Sequence, residues 1–240
     1  MWNTFEHRYA LIAHLINILY PSRCPLCEAA SDKFICSPLC SHCWSQIKRY
    51  TGPYCRICAM PFSSELSSIC GQCLKQFPPF SKVITFGVYE GALAEAINQL
   101  KFHNVRRLSN PLGTLLSNVS LPILDGIVPV PLHIKSLRER GFNQSLLIAR
   151  MLSRRRNIPL FMDILIKKKE TPPQVGLSAT ERISNVRKAF TAHGDVKGLR
   201  ILLVDDVMTT GATVRECSRA LLNAGAREVI VATVARSRMV

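Results

Sequence analysis

Acid is scarce in this chain beside base. Its 240 residues carry 16 Asp and Glu against 31 Lys and Arg, a formal net charge of +15. A field of that sign draws phosphates, so the partner classes it points to are nucleotides, nucleic acid and an anionic membrane face. No secretory signal is evident either. The apolar stretch from Tyr9 to Tyr20 is interrupted by His14 and Asn17, and Glu6 stands where a signal peptide would be positive. Leu11, Leu15, Ile18 and Leu19 recur at helical spacing. Residues 1–22 are therefore expected to form an amphipathic helix packing on its own protein, not a membrane span. Cysteine is missing from most of the chain: beyond Cys73 only Cys217 remains, on an apolar helix face with Val214 and Leu221. The expected compartment is the reducing cytoplasm, with a peripheral seat at the inner membrane left open; clustered cysteines there usually mean metal. The 48% hydrophobic content suits a packed globule and argues against general disorder. The length allows one α/β domain of ordinary size plus something smaller.

Nine of the ten cysteines fall between Cys24 and Cys73. Cys24-Pro-Leu-Cys27 is followed by Cys40-Ser-His-Cys43, then Cys55-Arg-Ile-Cys58 by Cys70-Gly-Gln-Cys73, and the second unit starts 31 residues after the first. That is an internal duplication. Two residues between cysteines let both thiolates reach one ion from a tight turn, and two such knuckles complete a tetrahedral four-thiolate zinc site. Residues 23–77 are expected to form a double zinc ribbon holding two structural zinc ions. Adjacent pairing gives Cys24, Cys27, Cys40 and Cys43 for one ion and Cys55, Cys58, Cys70 and Cys73 for the other; crossed pairing stays open. Cys36 and His42 are spare. An iron–sulfur centre and redox-active dithiols are the rival readings. So short a segment buries little core, so metal would supply most of its stability.

The densest chemistry lies in Arg200-Ile-Leu-Leu-Val-Asp-Asp-Val-Met-Thr-Thr-Gly-Ala-Thr213. Ile201 to Val204 is an unbroken apolar run, as in a strand covered on both faces. Asp205 and Asp206 sit where that strand leaves the sheet. Thr209, Thr210, Gly211, Ala212 and Thr213 have little bulk, so backbone N–H groups can close around an anion at the start of the next helix. Two acceptors for sugar hydroxyls thus stand beside a cradle for a phosphate. The segment resembles the phosphoribosyl-pyrophosphate (PRPP) motif of type I phosphoribosyltransferases, an apolar strand, Asp-Asp, then Thr-Gly-x-Thr. The resemblance implies PRPP with Mg2+, Asp205 and Asp206 as the catalytic pair on the ribose, and Thr209 to Thr213 on the 5′-phosphate.

Residues 80–240 read as the body of the protein. A strand is expected over 83–89, a helix over 91–108 and a strand over 127–131. The segment from His133 to Gln144 is expected to leave that strand as a loop and open a long helix through Arg156. Lys135, Arg138 and Arg140 would lie on the loop, where open α/β sheets bind ligands, and would take the pyrophosphate. Residues 171–190, rich in proline and charge, read as a mobile lid. A helix over 213–224, capped at Gly225, and a strand over 228–236 complete the pattern. Strands alternating with helices predict an α/β fold with a parallel, doubly wound sheet, preceded by the cysteine-rich module.

Taken together, the double ribbon, Tyr89 and Gly91, Leu100-Lys-Phe102, Val-Pro-Val-Pro-Leu-His133, Arg-Glu-Arg-Gly-Phe-Asn-Gln144, Gln174-x2-Leu-Ser178, Glu181-Arg182-x2-Asn185-Val186 and the Asp-Asp–Thr-Gly-Ala-Thr segment resemble the ComF (ComFC, GntX) family, over nearly the whole chain. Two positions depart from its pattern: Lys135 stands where Arg is usual, and Met208 where an aromatic residue is common. The resemblance implies a phosphoribosyltransferase domain, natural transformation, single-stranded DNA handled after uptake, and partners in the DNA-uptake machinery. Arg49, Arg56, Lys75 and Arg154-Arg155-Arg156 are candidates for tracking a phosphate backbone, with Trp44, Tyr50 and Tyr54 for stacking on bases. Turnover and acceptor stay open. A nucleobase or nucleotide salvage enzyme without a DNA role is the other reading.

Overall fold

The computed structural model describes residues 23–33, 36–64, 66–170 and 186–238. The expected helix over 1–22 and residues 171–185 of the expected lid lie outside these. Among the described residues no helix is long and apolar enough to cross a membrane.

Four parallel strands form the sheet: β1 (Lys82–Val88), β2 (Gly126–Pro129), β5 (Arg200–Met208) and β6 (Glu228–Arg236), in the order β1-β6-β5-β2. A separate antiparallel pair joins β3 (Leu165–Lys167) to β4 (Phe190–Ala192). The two central strands are buried almost throughout, as their continuous Val, Ile, Leu and Ala content requires. Alternate residues feed opposite faces. Leu202, Val204, Ile230, Ala232 and Val234 belong to one core; Ile201, Leu203, Val229 and Val231 belong to the other.

Helices cover both faces, which makes the sheet doubly wound. The first core holds α3 (Gly91–Phe102), α4 (Ser109–Ser117) and α6 (Gln144–Arg156). In α3 the buried Leu93, Ala96, Ile97 and Leu100 form one helical stripe. The second core holds α7 (Ala212–Asn223) with β3 and β4. The cysteine units do not stand off as a separate lobe. Cys24, Leu39, Cys40, Cys43 and Ile47 join the first core, while Cys55, Cys58, Ala59, Met60 and Cys73 join the second.

The duplication is visible in the backbone. Arg23 bridges Ala30, and Tyr54 bridges Pro61. Glu28 and Ala59, each four residues after a first cysteine, both adopt the left-handed conformation that turns the knuckle. Each unit then closes with a short helix, α1 (Ser41–Gln46) and α2 (Gly71–Lys75), whose N-cap is a cysteine, Cys40 or Cys70.

Two expected elements differ. The helix over 91–108 stops at Phe102, because Asn104 turns left-handed (φ 59°); a 3-10 turn at Arg106–Leu108 then leads into α4. The segment after β2 is not a loop opening one long helix. It folds as a short helix, α5 (Ile134–Arg140), closed at Gly141 (φ 74°), and Asn143 caps the separate α6 through its side-chain oxygen. Lys135, Arg138 and Arg140 therefore stand on a helix.

Candidate functional site

A cavity of about 930 Å3 opens at the C-terminal ends of β2 and β5. Its position follows from where the chain after β2 lets go of β5. Val130 N–H still donates to the Val204 carbonyl (2.9 Å), but the Val130 carbonyl accepts from Asn143 Nδ2 (3.0 Å) and not from β5. Strand β5 runs on past its neighbour, so Asp205 and Asp206 lie in the stretch still paired to β6 but bare on the β2 side. The cavity is lined by both acids, by Thr209 to Thr213, by Lys135 and Arg140 of α5, and by Lys101 and Phe102 of α3.

The turn after β5 depends on Gly211. It is left-handed (φ 80°) and caps α7, and a Cβ there would lie 2.4 Å from the Met208 side chain. Thr210 Oγ1 accepts from the Ala212 N–H (3.4 Å). The 12-residue helix α7 points its N-terminus into this turn, bringing a partial positive charge of about half a unit.

The two carboxylates are buried differently. Asp205 Oδ1 accepts from Ser145 Oγ (2.9 Å) and from the Asp206 N–H (2.9 Å). Asp206 Oδ1 accepts from the Val207 N–H (2.8 Å), and its Oδ2 lies 2.8 Å from Lys101 Nζ. Burial, with the charge of Asp206 beside it, pushes Asp205 up to about 7. Burial acts on Asp206 in the same direction, but the Lys101 ammonium outweighs it and holds that carboxyl below its usual value. One acid is thus ionised and the other is poised to give up a proton near neutrality.

Around them, Arg140 donates from Nη1 to Gln144 Oε1 (2.7 Å) and lies 5.9 Å from the Phe102 ring centre. Lys135 Nζ is 2.8 Å from Glu170 in an exposed pair. Arg138 does not line the cavity.

The structure groups the thiols by adjacent knuckles. Cys24, Cys27, Cys40 and Cys43 form one set and Cys55, Cys58, Cys70 and Cys73 the other, with all sulfurs of a set within 4.8 Å of one another. A zinc tetrahedron with bonds of about 2.3 Å has edges of about 3.8 Å. The sulfurs of Cys27 and Cys40, and of Cys58 and Cys70, are 3.5 Å apart, so both sets fit the ion. Burial opposes ionisation of Cys55, but the N–H groups of Cys58, Cys70 and Ile57 outweigh it and bring its thiol down to about 7. Cys36 points instead at the Lys33 and Leu39 carbonyls, and His42 contacts Gln46; neither belongs to a donor set.

Family models agree with this layout. Residues 15–74 match the double zinc ribbon domain and residues 143–239 the phosphoribosyl transferase domain. The chain is 37% identical to Competence protein F of Haemophilus influenzae, over 83% of this chain and 90% of that protein. The chain belongs to the ComF family. It is also 34% identical to the DNA utilization protein YhgH of Escherichia coli strain K12 over 83% of this chain and 90% of that one. Against Competence protein ComFC of Bacillus subtilis the figures are 27%, 84% and 89%.

Within this ComF-family site, two side chains that hold the acids escaped the sequence reading. Lys101 gave a signal, since a lone lysine ends the apolar stripe of α3 inside Leu100-Lys-Phe102. Ser145 gave none, being one hydroxyl in a helix. Arg236, expected only as a strand end, is fully buried. Of the residues considered for nucleic acid, Arg49, Arg56, Lys75 and Arg154 to Arg156 are exposed, as is Tyr54. Trp44 is half-buried against the first core, and the half-buried Tyr50 donates its hydroxyl to the Pro53 carbonyl (3.0 Å).

Proposed function

We propose that the cavity binds PRPP and that the protein acts on it as a phosphoribosyltransferase while handling single-stranded DNA during natural transformation. One observation carries this reading: a buried acid pair and a glycine-turned, hydroxyl-bearing helix start open onto the same hollow. In it, the N–H groups of the turn from Thr209 to Thr213 hold the 5′-phosphate. Asp205 and Asp206 face the ribose hydroxyls. Arg140 and Lys135 receive the pyrophosphate from α5, with Arg138 contributing only to the field. The residues fit magnesium brought with PRPP, since paired carboxylates are hard oxygen donors; the ion would neutralise charge on the leaving pyrophosphate. The chain's own part is orientation and electrostatics. The ionised Asp206 faces the sugar as positive charge develops at the anomeric carbon, and Lys101 fixes that carboxylate's position. The DNA role draws support from the +15 charge, the exposed arginines and the names borne by the relatives.

Calorimetry of magnesium–PRPP with wild type and Asp206→Asn, each with and without single-stranded DNA, tests this. Saturable binding lost in the variant and altered by DNA is the expected result. Binding that ignores the substitution would remove the site. Consumption of a free base with no DNA binding would replace the reading by salvage.

A further inference from the structure

Arg236 ends the central strand β6 and is completely buried. Its Nε donates to the carbonyl of Cys58, inside the second cysteine unit, at 3.0 Å. Its Nη1 donates to the carbonyls of Met208 (2.9 Å) and Thr209, where β5 passes into the anion turn, and to Ser237 (2.8 Å). Its Nη2 is buried without a hydrogen-bond partner. A planar guanidinium is suited to such a fork, because its donors point in fixed directions. Burying that charge alone would be costly, and four thiolates around a divalent zinc leave about two negative charges close by to offset it.

A second buried arginine makes a parallel link. Arg215, one turn into α7, donates to the carbonyl of Gln76, just past the Cys73 helix, at 3.3 Å, and lies 5.9 Å from the Phe80 ring centre. The anion turn is thus tied to the second unit on both sides, before it by Arg236 and after it by Arg215. Apolar contact continues the link: Cys55, Cys58, Met60 and Cys73 share a core with Met208, Ala212 and Val214. The first unit, in the other core, meets α3 through α1.

We propose that Arg236 is a positioning residue that makes the second metal unit part of the phosphate cradle, so that metal occupancy at Cys55, Cys58, Cys70 and Cys73 sets how firmly the turn from Thr209 to Thr213 grips its anion. The coupling is reciprocal: an occupied turn holds the second metal more tightly, by the same factor. The proposal rests on the PRPP reading for its ligand but not for its mechanics.

Cys40 and Cys70 are equivalent N-cap ligands, so Cys40→Ser and Cys70→Ser of the full chain make a matched pair. Metal content is counted by native mass spectrometry. Hydrogen exchange of the amides at 209–213 is followed without ligand, and magnesium–PRPP affinity by calorimetry. Cys70→Ser should speed exchange at the turn and weaken PRPP about tenfold more than Cys40→Ser does. In the wild type, PRPP should slow chelator-driven release of one of the two zinc ions, and Arg236→Lys, folded with both ions bound, should lose that protection. Equal effects of the two serine variants on the turn, or zinc release from the wild type that PRPP leaves unchanged while bound, would overturn the coupling. If the wild type binds no PRPP, the functional reading fails, and the ligand-free exchange still decides for or against the link. If Cys70→Ser fails to fold, the wild-type release rates and Arg236→Lys decide it.

Discussion

The two cysteine units have nearly the same spacing, the same left-handed residue four positions after the first cysteine and the same cysteine-capped helix, yet the sheet separates them. The first packs through α1 against α3, the helix that carries Lys101 to Asp206. The second packs beneath the turn from Thr209 to Thr213, with Arg236 and Arg215 reaching into it. One unit therefore backs the acid side of the cavity and the other the turn from Thr209 to Thr213. Knuckle spacing determines that four sulfurs meet; which face a unit serves depends on the residues that look outward from it. Leu39 and Ile47 seat the first unit, Ala59 and Met60 the second.

The harshest way to break this comparison is to remove both metals. In small zinc modules the metal supplies about 10–16 kcal/mol of apparent stability. Both cores contain cysteine-unit residues, so chelation should abolish the cooperative thermal transition followed by circular dichroism. A chelated protein that melts as before would show that neither unit depends on metal. Next is Leu39→Ala, in the first unit and fully buried. It should cost about 2–5 kcal/mol in urea unfolding, while ligand-free hydrogen exchange at the 209–213 turn, on the other face, stays near wild type.

The acids sharpen the comparison further. Asp205 keeps its proton in the folded protein up to about 7, whereas it ionises near 4 when unfolded. Its contribution to stability is complete below the unfolded value and is lost as pH rises through the folded one. Asp205→Asn, which can still accept from Ser145, should therefore gain on wild type between those values, by an amount on the order of a few kcal/mol. Denaturant midpoints of the two proteins across that range would reveal it, and parallel curves would show that Asp205 titrates normally. Asp206, with its carboxyl held low, contributes stability that disappears only as pH falls further.

The smallest effect concerns the surface. Alanine at Arg154, Arg155 and Arg156 should weaken single-stranded DNA uniformly across sequences and flatten the salt dependence of binding, by about 0.7 in log–log slope for each phosphate no longer neutralised. An unchanged slope would make that helix end a solvated one.

Most of the frame was legible in the chain. Ile201 to Val204 read as a buried strand because every residue of the run is apolar, and the four knuckles read from spacing because a knuckle is a local object; that adjacent knuckles pair comes from the structure. The acid pair and Gly211 were legible for the same reason. The cationic segment was misread because a loop and a seven-residue helix differ only in what Gly141 and Asn143 do, and two adjacent terminators there look like one. Lys101 and Arg236 were hidden for a different reason. Each acts on a residue about 30 or more positions away, through the packing of a helix or strand that the sequence places only in outline. Charges of that kind become visible only when the sheet order β1-β6-β5-β2 brings their partners together.

Amide chemical shifts of the folded, zinc-loaded protein, followed as magnesium–PRPP is added, test the central claim most directly. The largest changes should fall at Asp205, Asp206 and the turn from Thr209 to Thr213, saturating together at one equivalent. Shifts confined to other surfaces, or none at any of these amides under saturating ligand, would contradict the account.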